Sequence, residues 1–443
     1  MKVLTVGGGA REHAMVKALA KSGAKIYASM GNNNLGIARL ADETLLEKDT
    51  NIPQIVNWAV EKGVELAVIG PEAPLGKGIV DELEDKGIRC ASPNMKAADI
   101  EISKEFMRDL MAKYELPGRV EYQVFDDIEN LEDFLAHHEG DLVVKPVGLT
   151  GGKGVKVMGD HLENKVAVID YSREVLNDKI GGLSRVVLEE KLKGEEFTLH
   201  AFTDGTNVIP VPLVQDHKRL YEGDQGPNTG GMGSYSMPDG LLPFVDEEDY
   251  NEGVEIIKAT LNAMKKEGRI YKGVIYGQFM LTAKGPKVIE FNCRWGDPEA
   301  MNVLSLLNSD YLKLCKGMAE GDISGMEVAF EKKATVCKYI VPEGYGIESV
   351  PGSLLEVDEE AIEKEGAELF YASVDYKEGS LYTTTSRSLA VVGIAHELED
   401  AESASEKALS HIKGDNIHMR HDIGKPESIH TKVEHMKKVR GDN

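Results

Sequence analysis

Cysteine is scarce in this chain. The four present, Cys90, Cys293, Cys315 and Cys337, lie far apart, with no CxxC pair and no Cys/His cluster. That spacing excludes a zinc ribbon or a redox dithiol and fits reduced, mostly buried thiols in a cytoplasmic protein. Long hydrophobic runs are missing as well. No apolar stretch approaches the roughly 18 residues that would cross a bilayer, and the N-terminus enters a strand-like run at once rather than a basic and then apolar leader. Positive charge is in deficit: the net charge is −24, which argues against a nucleic-acid coat or an anionic membrane surface as partner. If the substrates are phosphates, their site in so acidic a body must be locally basic or built from backbone N–H groups. Internal repeats and low-complexity segments are also lacking. What remains is 443 residues, 42% hydrophobic and 28% charged with mixed sign, enough for several packed cores.

Residues 1–100 alternate strand and helix. "KVLTVG", "KIYASM" and "ELAVIG" read as strands. "REHAMVKALAKS" reads as a helix with Met15, Leu19 and Ser22 on one face, and "GIVDELEDKG" as a helix ending at Gly87. The pattern predicts a parallel α/β layer. Residues 92–118 read as helical up to Pro117-Gly118. "DLVVKP", "VKVM" and "RVVLEEKL" read as strands around the glycine loop "LTGGKG". Residues 215–235 follow neither period, which predicts an ordered ligand loop. "GVIYGQFMLTAKGPKVIEFNCRWGDPE" predicts a β-hairpin, and beyond residue 335 strands such as "ATVCKYIV" and "SLAVVGIA" alternate with acidic helices.

The strand–glycine–helix opening "VGGGAREHA" invites a dinucleotide reading, but two parts fail. Glu12 stands where the third glycine of G-x-G-x-x-G belongs, and "KIYASM" ends without the acid that would hold a ribose hydroxyl. A turn able to receive one anion remains, with Arg11 and His13 beside it, or a tight turn without ligand. "VIGPEAPLGKG" places Pro71-Glu72 at another strand's carboxyl end, as a second ligand loop or a proline-rich connection. In "GPKVIEFNCRWGDPE", strand alternation predicts Ile289, Phe291 and Cys293 on one face and Val288, Glu290, Asn292 and Arg294 on the other. A turn centred near Lys284 puts Gln278 opposite Glu290, so Gln278, Glu290 and Asn292 offer hard oxygens suited to magnesium. Arg294 suits a phosphate or carboxylate. "VVKPVGLTGGKGV" is not a Walker loop, but its glycines with Lys145 and Lys153 suit a flap over phosphates. The acids of "VVLEEKLKGEEF" suit an adenine amine or ribose hydroxyls.

Taken in order and spacing, "GGGAREHA", "GPEAPL", "KPVGLTGGKGV", "EEKLKGEEF", "QDHKR", "GPNTGGMG" and "VIEFNCRWGDPE" resemble the ATP-grasp ligases, and among them the phosphoribosylamine–glycine ligase family, over essentially the whole chain. The resemblance implies an α/β fold, α+β in the lid. Its parts would be an N-terminal parallel-sheet domain at 1–102, an ATP-grasp main domain from 103–122 and 192–330, a lid at 123–191 and a C-terminal domain at 331–443. It implies ATP-driven amide formation between glycine and 5-phosphoribosylamine through a glycyl phosphate, with Mg²⁺ or Mn²⁺, in a cytoplasmic monomer or weak dimer. Lys104, Lys145, Gly151, Gly152, Lys153 and Gly154 would then contact ATP phosphates. Glu189, Glu190, Leu192 and Glu196 would frame adenine and ribose. Gln278, Glu290 and Asn292 would hold the metal. Gly9, Arg11, Glu12, Pro71 and Glu72 would hold phosphoribosylamine. Asp216, Lys218, Arg219, Asn228, Thr229, Gly230 and Met232, with Arg294 and Asp297, would position both substrates. Lys145, Asp216, Lys218, Arg294 and Asp297 would carry the catalysis. Ala10, Pro146-Val147 and Trp295 depart from the family's usual residues beside these groups.

Overall fold

The computed structural model describes residues 1–150 and 154–441. Five parallel strands open the chain, in spatial order Glu43–Leu46, Lys25–Met30, Lys2–Val6, Leu66–Ile69 and Arg89–Cys90. The strand Lys2–Val6 sits where the order reverses, with Lys25–Met30 on one side and Leu66–Ile69 on the other. The loops leaving Val6 and Ile69 therefore emerge side by side at the carboxyl edge, where open α/β sheets take ligands. The helix Ala10–Lys21 buries Met15 and Leu19, as its period predicts, together with Arg11, Glu12 and His13.

The segment expected to run helical from 92 to 118 is two helices, Met95–Ile102 and Lys104–Lys113. Ser103 is extended, and its hydroxyl accepts from the Phe106 N–H at 3.1 Å, so it caps the second helix. The second helix stops before Pro117, where Glu115 turns to φ 49.

Two antiparallel four-stranded sheets follow. In the first, Tyr122–Phe125, Val186–Glu190, Leu142–Pro146 and Lys156–Val157 pack with helices Ile128–His137 and Lys165–Asp178 around an apolar cluster of their own, including Leu131, Val144, Val168 and Leu188. The second orders Val208–Pro210, Glu195–Thr203, Gly273–Thr282 and Gly285–Asn292. Its hairpin has the expected register, with Gln278 opposite Glu290, but a bulge follows, because Phe279 faces Val288. Ile289 is the extra residue. The strict alternation expected for this strand therefore breaks: Val288 joins Phe279 and Phe291 in the core, and Ile289 stays half-buried.

The stretch 215–235, read as a loop, is instead four short strands. Gln215–Asp216 and Gly233–Ser236 join a sheet with Ala334–Pro342, Leu389–Ala395 and Ala367–Tyr371. Arg219–Tyr221 and Gln225–Asn228 pair with each other. Strands of two to four residues are too short to show a period. All four cysteines are free and buried. Among the described residues no helix is long and apolar enough to cross a membrane.

Candidate active site

The bulged hairpin and the first antiparallel sheet face each other across a band of charge. Lys145, at the end of Leu142–Pro146, places Nζ 2.6 Å from Glu189 Oε2 and donates to the Ile289 carbonyl at 3.2 Å. Lys104 starts its helix and donates to the Gly148 carbonyl at 3.0 Å. Glu290 stays ionised in spite of burial, which pushes its pKa up, because Lys218, Lys104 and Lys145 together pull it below the ordinary range. Glu196 accepts from Gln278 Nε2 at 2.6 Å and from Lys218 at 3.2 Å.

The donor set of Gln278, Glu290 and Asn292 fits a hard divalent cation. All three offer oxygen, and Glu290 brings the one carboxylate. Among the described residues no group of three or more His, Cys, Asp or Glu side chains could cage a metal. Magnesium commonly takes one or two carboxylates and completes its shell with phosphate and water, so a sparse protein contribution beside several lysines suits a nucleotide-bound ion.

A second cluster lies at the switch point of the parallel sheet. Arg294 pairs with Glu101 at 2.8 Å and approaches Glu72 at 3.5 Å. Its guanidinium also donates to Asn292 Oδ1 at 3.1 Å, which ties this cluster to the hairpin. Arg11 and Arg294 both donate to the Trp295 carbonyl, at 3.2 and 3.3 Å. Pro71 caps the short helix that begins at Glu72. Burial raises the Glu72 carboxyl, but Arg294 and Arg11 outweigh it and hold the acid ionised.

Glu12 does more than displace a dinucleotide. Its carboxylate accepts from the Gly9 N–H at 2.7 Å and from Arg11 Nε at 2.6 Å. One of the N–H groups expected to receive an anion is thus already satisfied. The side chain lies against Gly7 and Gly70: a Cβ on Gly70 would sit 2.0 Å from Glu12 Oε1, and one on Gly7 would sit 2.7 Å from its Cγ. Gly70→Ala should therefore cost about 2–3 kcal/mol and lower the melting temperature by several degrees, because Glu12 must leave both partners. Adding Glu12→Ala should regain part of that loss in thermal melts, since the clash goes with the side chain.

Asp297 is held from the far end of the chain. Tyr339 donates to it, and Arg387 pairs with its carboxylate at 3.2 Å while donating to the carbonyls of Asp297 (2.7 Å), Gly230 and Gly231 (3.1 Å). Asp216 lies beside Gly231, whose added Cβ would meet Asp216 Oδ1 at 2.7 Å. That oxygen is buried and has no hydrogen-bond partner, and burial with Glu299 nearby pushes the acid far up. Thr229 bonds the Lys218 carbonyl at 2.8 Å, and Asn228 pairs with Arg219 in the short ladder. Arg219 donates to His161 at 3.0 Å and to the Gly226 carbonyl at 2.8 Å. The Met232 side chain is fully buried in the apolar core.

On the strand Val186–Glu190, the Glu189 carboxylate is taken by Arg108 and Lys145, whereas Glu190 accepts from the Glu121 N–H at 3.0 Å. Leu192 is half-buried in the connection to Glu195–Thr203. The Gly154 carbonyl accepts from the Tyr171 hydroxyl at 2.7 Å. Gly151, Gly152 and Lys153 lie outside the described residues. Arg108, Glu101, Tyr339 and Arg387 were not singled out in sequence. Arg108 alone had a signal there, four residues after Lys104 and hence on the same helix face.

Lys145 from one antiparallel sheet, Lys104 from the neighbouring helix and Lys218 from the connection after Asp216 gather on the acid–amide row of the other sheet, and the class to which this arrangement belongs is the ATP-grasp ligases. The chain matches three successive regions of one family: the phosphoribosylglycinamide synthetase N domain over residues 1–101, its ATP-grasp (A) domain over 102–300 and its C domain over 335–426. It therefore belongs to the phosphoribosylglycinamide synthetase family. Relatives include the phosphoribosylamine–glycine ligase of Methanothermobacter thermautotrophicus, 50% identical with 99% of this chain and 100% of that one covered. That of Methanocella arvoryzae is 51% identical with both chains fully covered. The crystal structure of the phosphoribosylamine–glycine ligase of Thermotoga maritima superimposes with a TM-score of 0.80 at 26% identity, over 95% of this chain and 100% of that one. The biotin carboxylase domain of Hydrogenobacter thermophilus 2-oxoglutarate carboxylase, solved with MgADP, shares the fold: its TM-score is 0.74 at 18% identity, over 98% of this chain and 93% of that one.

Proposed function

We propose that this protein joins glycine to 5-phosphoribosylamine at the expense of ATP, giving glycinamide ribonucleotide, ADP and phosphate. The observation that carries this reading is the continuity of two clusters. Glu290, set among three lysines, shares the bulged hairpin with Asn292 and Arg294, and Arg294 reaches the loops at the switch point. This continuity supports a nucleotide site and a second-substrate site that share one strand.

The glycine carboxylate attacks the γ-phosphorus of ATP, and ADP leaves. The amine of phosphoribosylamine then attacks the glycyl carbonyl, loses a proton, and inorganic phosphate departs. Lys104 and Lys145, with the flap around Gly151, Gly152, Lys153 and Gly154, hold the polyphosphate. Gln278, Glu290 and Asn292 would hold Mg²⁺ or Mn²⁺, which would neutralise phosphate charge. Glu190, Leu192 and Glu196 frame the nucleoside. Arg294 offers a fixed guanidinium to the charge that builds on the acyl phosphate, and preorganised charge of this kind is the main lever in phosphoryl transfer. Asp216, Lys218 and Asp297 orient the reacting groups, with the segment of Asn228, Thr229 and Gly230 closing around them. Arg11, Glu72, Pro71 and the turn at Gly9 receive phosphoribosylamine. The proposed enzyme acts in the cytoplasm as a monomer or weak dimer, a setting that the free buried thiols support.

Purified protein should release ADP only when ATP, a divalent cation, glycine and phosphoribosylamine are all present. Equal release with glycine omitted overturns the reading, and release with another amino acid in its place redirects it to a different ligase.

A further inference from the structure

We propose that Arg108 is a positioning residue for nucleotide binding: by gripping Glu189 it leaves Lys145 with a charge to give to the phosphates. The proposal rests on the reading of Lys145 as a phosphate contact.

Arg108 is 1% exposed, and four of its five guanidinium N–H groups have acceptors. Two parallel bonds reach the Glu189 carboxylate, from Nε at 2.7 Å and from Nη2 at 2.8 Å. Two more reach the carbonyls of Val288 at 3.0 Å and Ile289 at 2.8 Å. The bulge makes this possible, because the extra residue Ile289 presents its carbonyl to the cations. Lys145 uses the same two acceptors, Glu189 at 2.6 Å and the Ile289 carbonyl at 3.2 Å. One acid therefore serves two cations in a nearly dry site.

A planar guanidinium suits a permanent bidentate pair, whereas the ammonium on a flexible stem suits the partner that must leave. When polyphosphate enters, Lys145 exchanges Glu189 for phosphate oxygen. Arg108 remains, so no buried carboxylate is stranded. Without Arg108, Lys145 is the sole counter-ion of a buried acid, and the exchange must break an isolated pair. Burial works to protonate Glu189, yet the two cations overcome it and hold the acid ionised, down to about 2. Glu290 and Lys104 complete the charged surroundings of Lys145.

The test is calorimetric binding of ATP and of inorganic tripolyphosphate, together with steady-state kinetics. Arg108→Met should weaken both ligands about tenfold or more. The KM for glycine should change much less, within about twofold, since Arg108 bonds Glu189 and two hairpin carbonyls but neither Arg294 nor the switch-point loops. Glu189→Gln should bind tripolyphosphate at least as tightly as the wild type, because Lys145 is then free. The double variant should regain most of the affinity that Arg108→Met loses, an outcome that a purely structural arginine does not produce. A double variant no better than Arg108→Met, or a Glu189→Gln protein weaker for tripolyphosphate, overturns the proposal. Should Arg108→Met fail to fold, the other two variants decide against the wild type: a Glu189→Gln protein that binds tripolyphosphate more weakly, or a double variant about tenfold or more weaker, overturns the proposal. Lys145→Met separates the premises. If it leaves tripolyphosphate binding unchanged, the phosphate reading of Lys145 falls. If it weakens binding while Arg108→Met does not, only the role of Arg108 falls.

Discussion

Arg294→Ala is expected to lower glycine-dependent kcat/KM about a thousandfold and to destabilise the protein by about 3–5 kcal/mol. The two effects have one cause. Arg294 is the cation between Glu72 and Glu101, and the residue just past the strand that links the acid–amide row to the switch-point loops. Its loss leaves Glu101 buried without its paired charge, with Lys104 as a weaker, more distant cation. Burial already raises the Glu101 carboxyl, and Arg294 is the main influence opposing that rise. In the variant the folded-state pKa climbs further above the unfolded value. A raised acid stabilises the folded state below the unfolded pKa and loses that contribution as pH rises towards the folded one. The gap in melting temperature between variant and wild type should therefore be smaller near pH 5 than near pH 8. Arg294→Lys should restore part of the stability but little turnover, because one ammonium cannot reach Glu101, Glu72 and the Trp295 carbonyl together. An alanine variant within tenfold of wild-type activity removes Arg294 from the chemistry.

Much of this site was legible because its key elements are local. The turn near Lys284 and the two-residue period were enough to set Gln278 against Glu290. The bulge one residue further on was not legible, since Val288 and Ile289 are both apolar and an inserted residue leaves no trace in a run of apolar residues. The two candidate ligand loops, after Val6 and after Ile69, could be placed at strand ends. Their adjacency needed the strand order, which put Lys2–Val6 between its two neighbours. Glu12 could be seen to spoil a dinucleotide fingerprint, but not to fold back on Gly9 and fill the space that Gly7 and Gly70 leave open. Arg387 and Tyr339 were out of reach for another reason. They stand in or beside apolar strands of the last sheet, and only tertiary pairing brings them to Asp297. The segment 215–235 defeated pattern reading because its strands are only two to four residues long, and one of them, Gly233–Ser236, is also fixed by a partner more than a hundred residues away, as when Gly233 faces Lys338.

Glu290→Gln should reduce turnover about a hundredfold to a thousandfold while leaving the fold intact. The substitution keeps the shape and an oxygen for the Asn292 amide, which bonds Glu290 at 3.3 Å. What it removes is the negative charge that Lys218, Lys104 and Lys145 share. Two readings of Glu290 then part company. If it only balanced lysines, its neutralisation would strengthen polyphosphate binding with and without metal, and turnover would change little. If it carries the metal, nucleotide binding without metal should hold or tighten, because an anion has left the phosphate site. The divalent-ion concentration that gives half-maximal turnover should meanwhile rise about tenfold or more, since the two remaining donors are neutral amides. The measurement is a Mg²⁺ and Mn²⁺ titration of glycine-dependent ADP release, beside calorimetric ATP binding in chelator. An unchanged metal midpoint with more than a tenth of the turnover retained would move the metal away from this hairpin. A raised midpoint with metal-free affinity preserved assigns Glu290 to the cation, and leaves Lys104 and Lys145 as the charge that draws the nucleotide into an otherwise acidic protein.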